Sequence, residues 1–273
     1  MSFKQKIATV IPVFSDGDFN KALEMLEFLK KDYPNNPVLH NISGACYAGL
    51  GNLESAIIFY NNAIKIDPKY AKAYYNLGGA LHEKGKLFDA VEQYNISLDI
   101  DPNYPEAHNN LGNVLEELKH FEEAIQSYDR AIELKPDYFE ARYNLAILLK
   151  SMGNFRCIEQ FEKLLTIRPD FEEIHNILGV ALKESGQIDK AAMFYKKAIE
   201  INPSFAQAHN NLGNLYKHLH QNNKAILAYK KAIEINPSFA QAHNNLGNTL
   251  KDLGRIDEAV ESYKRALNIN PDF

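Results

Sequence analysis

The side chains of this 273-residue chain whose types and spacing could do chemistry are asparagines. Asn76, Asn110, Asn144, Asn211 and Asn245 recur at one position of a long period, and Asn41, Asn109, Asn176, Asn210 and Asn244 at the position before it. Asn113, Asn214 and Asn248 follow three residues after the first series, which on a helix is the same face. Asparagine is a mediocre helix former, so its repeated use inside helical segments asks for a reason. A primary amide carries two N–H donors and a carbonyl acceptor. Amides at regular intervals can therefore grip an extended peptide backbone with little regard for its side chains, each bond contributing about 0.5–1.5 kcal/mol. The same amides can instead bond between neighbouring helices and hold them in register, and the sequence leaves both readings open. Ile42 and Ile177 interrupt the first series, while Tyr75, Tyr143 and Tyr216 stand on the same segments and can add side-chain selectivity.

Histidine is the other recurrent polar type. His40, His108, His175, His209 and His243 share one slot. Successive copies of a slot in stacked helix pairs lie roughly 20 Å apart, whereas zinc needs ligands at about 2 Å. The series is therefore expected to pack rather than to bind metal, and His218 and His220 are expected in a solvated turn. No nucleophile–base arrangement, phosphate-binding glycine loop or CxxC pair appears. No catalytic residue, cofactor or metal site is expected, and this segment is not expected to be an enzyme. The net charge of −5, without a dense Lys/Arg stripe, argues against a nucleic-acid partner. No apolar run reaches membrane-spanning length. The N-terminus makes a poor signal peptide. Cys46 and Cys157 lie too far apart along a stack to pair, which points to a cytoplasmic location.

The elements that must position these groups are legible from prolines. Pro34, Pro68, Pro102, Pro136, Pro169, Pro203, Pro237 and Pro271 fall at steps of 34, 34, 34, 33, 34, 34 and 34 residues. Within residues 71–104 the apolar spacing predicts one helix from Ala71 to about Glu83 and a second from about Leu87 to Ile100, broken by Gly85 and stopped before Pro102. A small slot (Gly44, Gly78, Gly112, Ala146, Gly179, Gly213, Gly247), an alanine slot and an aromatic slot (Tyr60, Tyr94, Tyr128, Phe161, Tyr195, Tyr229, Tyr263) recur with them. Small residues let helix axes approach, and the ring fills the space left. One such unit leaves apolar faces open on both sides, so stability must come from stacking.

This pattern, from the Leu-Gly pair through Ala and Tyr to Pro, resembles the tetratricopeptide repeat. The resemblance covers 37–70, 71–104, 105–138, 139–171, 172–205, 206–239 and 240–273, with a degenerate capping copy in 1–36. It implies an all-α, right-handed superhelical solenoid of about eight antiparallel helix pairs, whose first helices line a concave groove. The amide series is similar to the asparagine ladder in the repeat domain of O-linked N-acetylglucosamine transferases, which holds extended segments of protein substrates. The candidate groove set is Asn76, Asn109, Asn110, Asn113, Asn144, Asn210, Asn211, Asn214, Asn244, Asn245 and Asn248, with Tyr75 and Tyr143. The basic slots of the carboxylate clamp found in chaperone-binding relatives are absent here. The expected function is a scaffold that binds extended peptide or protein segments. The alternatives are the substrate-recruiting arm of a transferase whose catalytic domain lies beyond residue 273, and a self-assembling scaffold joined through its uncapped last repeat. The chain is expected to be part of a longer protein.

Two departures carry expectations of their own. In the first copy Val10 and Leu26 replace Gly and Tyr, and Pro12 is expected to interrupt the first helix. The fifth copy is one residue short around Gly153–Cys157, which predicts either a turn deletion absorbed locally or a change of pitch.

Overall fold

The computed structural model describes residues 3–272. Among these lie sixteen α-helices and no strand. By its internal contacts the chain divides into two compact units, Met1–Asn144 and Leu145–Phe273. The first holds α1 (Phe3–Ser15), α2 (Phe19–Asp32), α3 (Pro37–Gly49), α4 (Leu53–Ile66), α5 (Ala71–Glu83), α6 (Leu87–Ile100), α7 (Pro105–Glu117), α8 (Phe121–Leu134) and the start of α9 (Phe139–Ser151). The second holds the rest of α9, then α10 (Arg156–Ile167), α11 (Glu172–Glu184), α12 (Ile188–Ile201), α13 (Ala206–His218), α14 (Asn222–Ile235), α15 (Ala240–Asp252) and α16 (Ile256–Ile269). The bounds of α5 and α6 are those the residue spacing predicts.

The breaks between helices have identifiable causes. Within pairs the turn closes on a left-handed residue: Gly51, Gly85, Gly186 and Gly254 have φ between 72° and 82°. Open space surrounds these glycines, so the backbone angle and not crowding requires them. Lys119 and His220 occupy the same turn position at φ 63° and 57° without that licence. Between pairs, the residue before proline is extended, as at Asp101 (φ −130°, ψ 90°). Its side chain then caps the turn, Asp67 accepting from the Lys69 N–H at 2.9 Å and Asn202 from the Ser204 N–H at 3.0 Å.

Packing follows the small–large pairing. A Cβ added to Gly112 would lie 2.6 Å from Cε1 of the fully buried Tyr128, and one added to Gly213 would lie 2.6 Å from Cε1 of Tyr229. Where the small slot is larger the ring slot changes with it: Ala146 is accompanied by Phe161, and Val10 by Leu26. All four of these residues are buried. Pro12 does not interrupt α1, which runs through it to Ser15. The proline removes one donor near the helix end, while Ile7 and Val10, buried with Ala22 and Leu26, keep the helix seated on α2. In the fifth copy the missing residue comes out of the start of α10, which has 12 residues against 14 in α8 and α12, while the turn before it, 152–155, has four residues against three in 84–86. In the first unit α3 touches α5 and α5 touches α7; in the second α11 touches α13 and α13 touches α15. The first helices of each unit thus form one layer, and the asparagines lie on them.

Candidate functional site

Consecutive first helices in this layer are stitched by amides. In the first unit Asn76 Nδ2 donates to Asn41 Oδ1 at 2.8 Å, and Asn110 Nδ2 donates to the Tyr75 hydroxyl at 3.1 Å. Asn144 Nδ2 donates to Asn109 Oδ1 at 3.2 Å and Asn113 Oδ1 at 2.9 Å. The second unit repeats the device, with Asn211 donating to Asn176 at 2.9 Å and Asn245 to Asn210 at 3.0 Å. In every case the later repeat donates and the earlier one accepts. A second set of bonds ties the layer to the helices behind it. Tyr128, Tyr229 and Tyr263 lie within 2.9 Å of Asn113, Asn214 and Asn248 Oδ1 and donate to them. Tyr128, whose single proton also faces Glu116 Oε2 at 2.9 Å, is shared between two acceptors.

Burial sorts the series. Asn109 and Asn210 are only 5% and 1% exposed, and Asn41 and Asn176 are buried beside the same rungs. Their amides are spent inside the stack, so what Asn109 and Asn210 offer a partner is indirect: they fix the amides next to them. Asn76, Asn110, Asn113, Asn144, Asn211, Asn214, Asn244, Asn245 and Asn248 are half-buried, as are Tyr75 and Tyr143. The bond accounting leaves these amides with capacity. Asn110 accepts from Asn109 Nδ2 at 3.1 Å, Asn211 from Gln207 Nε2 at 3.2 Å and Asn245 from Gln241 Nε2 at 3.1 Å. After one donation and one acceptance, Asn211 and Asn245 each retain an N–H and a lone pair, which is the complement of a peptide group, while Asn110, whose amide also reaches the Tyr94 hydroxyl, retains a lone pair. Tyr75 packs edge-tilted on Tyr104 with ring centroids 4.8 Å apart, and Tyr143 stacks on Phe139 at 6.3 Å.

The histidine slot has a role that residue types alone did not indicate. Nε2 of His40, His108, His175, His209 and His243 sits 2.7–3.1 Å from the carbonyl oxygen of the proline six residues earlier. Arg142 serves the same purpose, its Nη2 donating to Pro136 O at 2.7 Å. A carbonyl only accepts, so Nε2 carries the proton and the ring pins the turn between repeats. The rings also pack, His175 stacking on Phe194 at 5.7 Å. Burial lowers the His108 pKa, with the Arg130 charge adding to it and the Pro102 bond opposing. Among the described residues no group of three or more His, Cys, Asp or Glu is arranged to hold a metal ion, and no helix is long and apolar enough to cross a membrane.

Comparison with known proteins bears on the same features. A family model described as TPR repeat matches residues 44–85, 78–119, 179–219 and 213–254, more than half of the chain. Two described as tetratricopeptide repeat match 105–138 with 240–273, and 127–156. A small glutamine-rich tetratricopeptide repeat-containing protein 2 from Mycosarcoma maydis is 38% identical over 72 residues, 26% of this chain and 20% of its own length. The chain thus spans about a fifth of that relative. Among solved structures, the C-terminal part of a TPR repeat-containing protein from Cytophaga hutchinsonii has a TM-score of 0.74 at 18% identity, covering 88% of this chain and 98% of its own. YrrB, described as a TPR protein with an unusual peptide-binding site, has a TM-score of 0.59 at 23% identity over 67% of this chain and 95% of its own.

Proposed function

The chain belongs to the tetratricopeptide repeat family, and on that premise we propose that it is a scaffold whose first-helix layer binds extended protein segments through the half-buried asparagines. The observation that carries this reading is the bonding of Asn110, Asn211 and Asn245. Each is held by a neighbour on one side; Asn211 and Asn245 keep a donor and an acceptor, and Asn110 keeps an acceptor. A held amide loses little side-chain freedom on binding, so more of each bond remains as affinity. Asn144, Asn113, Asn214, Asn244 and Asn248 extend the set, with Asn109 and Asn210 as positioning residues and Tyr75 and Tyr143 as aromatic contacts. This is the asparagine-ladder mode, in which main-chain groups of the partner supply affinity and pockets supply selectivity. The similarity to YrrB supports the fold, and the binding mode rests on this chain's own amides.

The test uses peptides selected from a random library on the full chain. Their affinities are then compared on the wild type, on Asn110→Ala/Asn144→Ala and on Asn211→Ala/Asn245→Ala. Each bond contributes about 0.5–1.5 kcal/mol, so each double substitution should weaken binding by roughly tenfold. Circular dichroism at the binding temperature confirms that the variants stay folded. Selected peptides that bind both folded variants as tightly as the wild type would place binding elsewhere and sink the reading.

A further inference from the structure

The first unit carries a cluster of tyrosines around a single carboxylate. Tyr75 on α5, Tyr104 at the start of α7 and Tyr138 before α9 are half-buried. The Tyr75 and Tyr104 rings lie 4.8 Å apart at 41°, and Asn110 Nδ2 anchors the Tyr75 hydroxyl at 3.1 Å. Glu106, two residues after Tyr104, stands within electrostatic reach of all three rings. Burial raises the pKa of each tyrosine. Glu106 is the next cause for Tyr75 and for Tyr138, which is pushed up to about 12, while for Tyr104 it follows Tyr75. Asp101 and Glu140 add negative charge at the margin.

A cation already visits this place. Lys135 Nζ sits 4.7 Å from the centre of the Tyr138 ring and 4.0 Å from Glu106 Oε1. The contact to the carboxylate is well beyond the roughly 2.7–2.9 Å of a charge-assisted hydrogen bond. Both side chains are close to half exposed, at 46% and 42%, and exposed pairs of this kind contribute little. The cluster therefore attracts positive charge, and the chain's own lysine occupies it loosely. The second unit lacks the arrangement. Its equivalent positions are Phe171, Phe205 and Phe239, followed by Glu173, Gln207 and Gln241, so two of its three carboxylate slots are neutral.

We propose that Tyr75, Tyr104, Tyr138 and Glu106 form a recognition pocket for a guanidinium side chain, so that the segment bound by the first unit carries an arginine there. A planar guanidinium can lay its face on a tyrosine ring while its edge makes paired bonds to Glu106, which an ammonium cannot do. Lys135 is then a placeholder that the incoming arginine displaces. This deepens the reading of the first-helix layer as a binding face and rests on it for the rest of the segment, although the pocket itself can be probed alone.

The direct probe is arginine blocked at both ends, titrated into the full chain while tyrosine ring resonances are followed by NMR. Saturable shifts are expected at Tyr75, Tyr104 and Tyr138, with blocked lysine weaker and blocked norleucine without effect. Glu106→Gln should weaken blocked arginine about fivefold, and Lys135→Gln should strengthen it about two- to fivefold, magnitudes typical of exposed cation–π and ion-pair contacts. Both side chains are close to half exposed, and neither substitution removes a buried contact. No saturable shift, equal shifts from norleucine, or weaker binding in Lys135→Gln would each overturn the pocket. A second arm compares a library-selected peptide bearing arginine with its glutamine counterpart. If blocked arginine binds and no extended peptide does, the pocket stands and the wider binding face falls. If extended peptides bind and arginine adds nothing, the face stands and the pocket falls.

Discussion

Two neighbouring glycines on α5 offer a test of what holds each repeat together. Gly78 and Gly79 lie inside the same helix, so replacing either with alanine gains about 0.8–1.0 kcal/mol of helix propensity. The two added methyl groups point at different surroundings. At Gly79 the nearest heavy atom is the Tyr94 hydroxyl at 3.6 Å, an ordinary contact. At Gly78 the new Cβ would meet Cε1, Cδ1 and Cζ of the same ring at 2.9, 3.0 and 3.1 Å. Tyr94 is 1% exposed and cannot swing away, so the overpacking cost of about 1–3 kcal/mol applies and exceeds the propensity gain. Gly79→Ala should therefore stabilise the chain by up to about 1 kcal/mol, and Gly78→Ala should destabilise it by roughly 0–2 kcal/mol net. Gly112→Ala should be worse than Gly78→Ala, because its Cβ would come within 2.6 Å of Tyr128, whose ring is also tethered through its hydroxyl. Urea unfolding followed by circular dichroism measures the difference between the two α5 variants, provided their m-values agree. If Gly78→Ala proves as stable as Gly79→Ala, the glycine–tyrosine contact does not govern the spacing of the pair.

Further outcomes follow from the same geometry. Lys119→Gly and His220→Gly relieve left-handed backbone at side-chain-bearing residues and should each stabilise by about 1 kcal/mol in the same assay. Asn210→Ala removes the buried acceptor of the Asn245 bond and should cost about 1–2 kcal/mol, whereas alanine at the half-buried Asn245 should cost less. Burial raises the Tyr229 pKa to about 12 from an ordinary 10, so its neutral form is favoured by the fold. That stability is complete below pH 10 and is lost as pH rises towards 12, which tyrosinate absorbance and circular dichroism followed together should show.

The parts of this fold that were legible in the amino-acid order are those in which a side chain meets a side chain of fixed type. The pairing of Gly78 with Tyr94 and the stop before Pro102 recur at one period, so the bounds of α5 and α6 could be placed in advance. Proline was the exception at Pro12. A lone residue of helix-breaking type says nothing about the buried Ile7 and Val10 that keep α1 on α2. The histidine pins were invisible for another reason. Their acceptor is a backbone carbonyl, which every residue possesses, so His175 looked like a packing residue and its bond to Pro169 left no mark in the residue types. The asparagines were legible as a series but not as rungs, because the donor at Asn211 and the acceptor at Asn176 become neighbours only once two repeats are stacked. The tyrosine–carboxylate cluster joins side chains from two successive repeats, and only folding gathers Tyr75, Glu106 and Tyr138.

The uniform direction of the amide stitches makes the two units unequal as building material. In the second, the Asn211–Asn176 and Asn245–Asn210 junctions are chemically the same, and residues 195–214 are identical to 229–248. Excising one whole period there would bring Asn245 opposite Asn176 and recreate an existing joint, so that stretch can be lengthened or shortened like a chain of equal links. In the first, the joints differ: an amide to an amide at Asn76, an amide to a phenol at Asn110, a forked donation at Asn144. Removing a period from that end would mate unlike parts. Change in the number of repeats is thus cheap on one side of Asn144 and costly on the other.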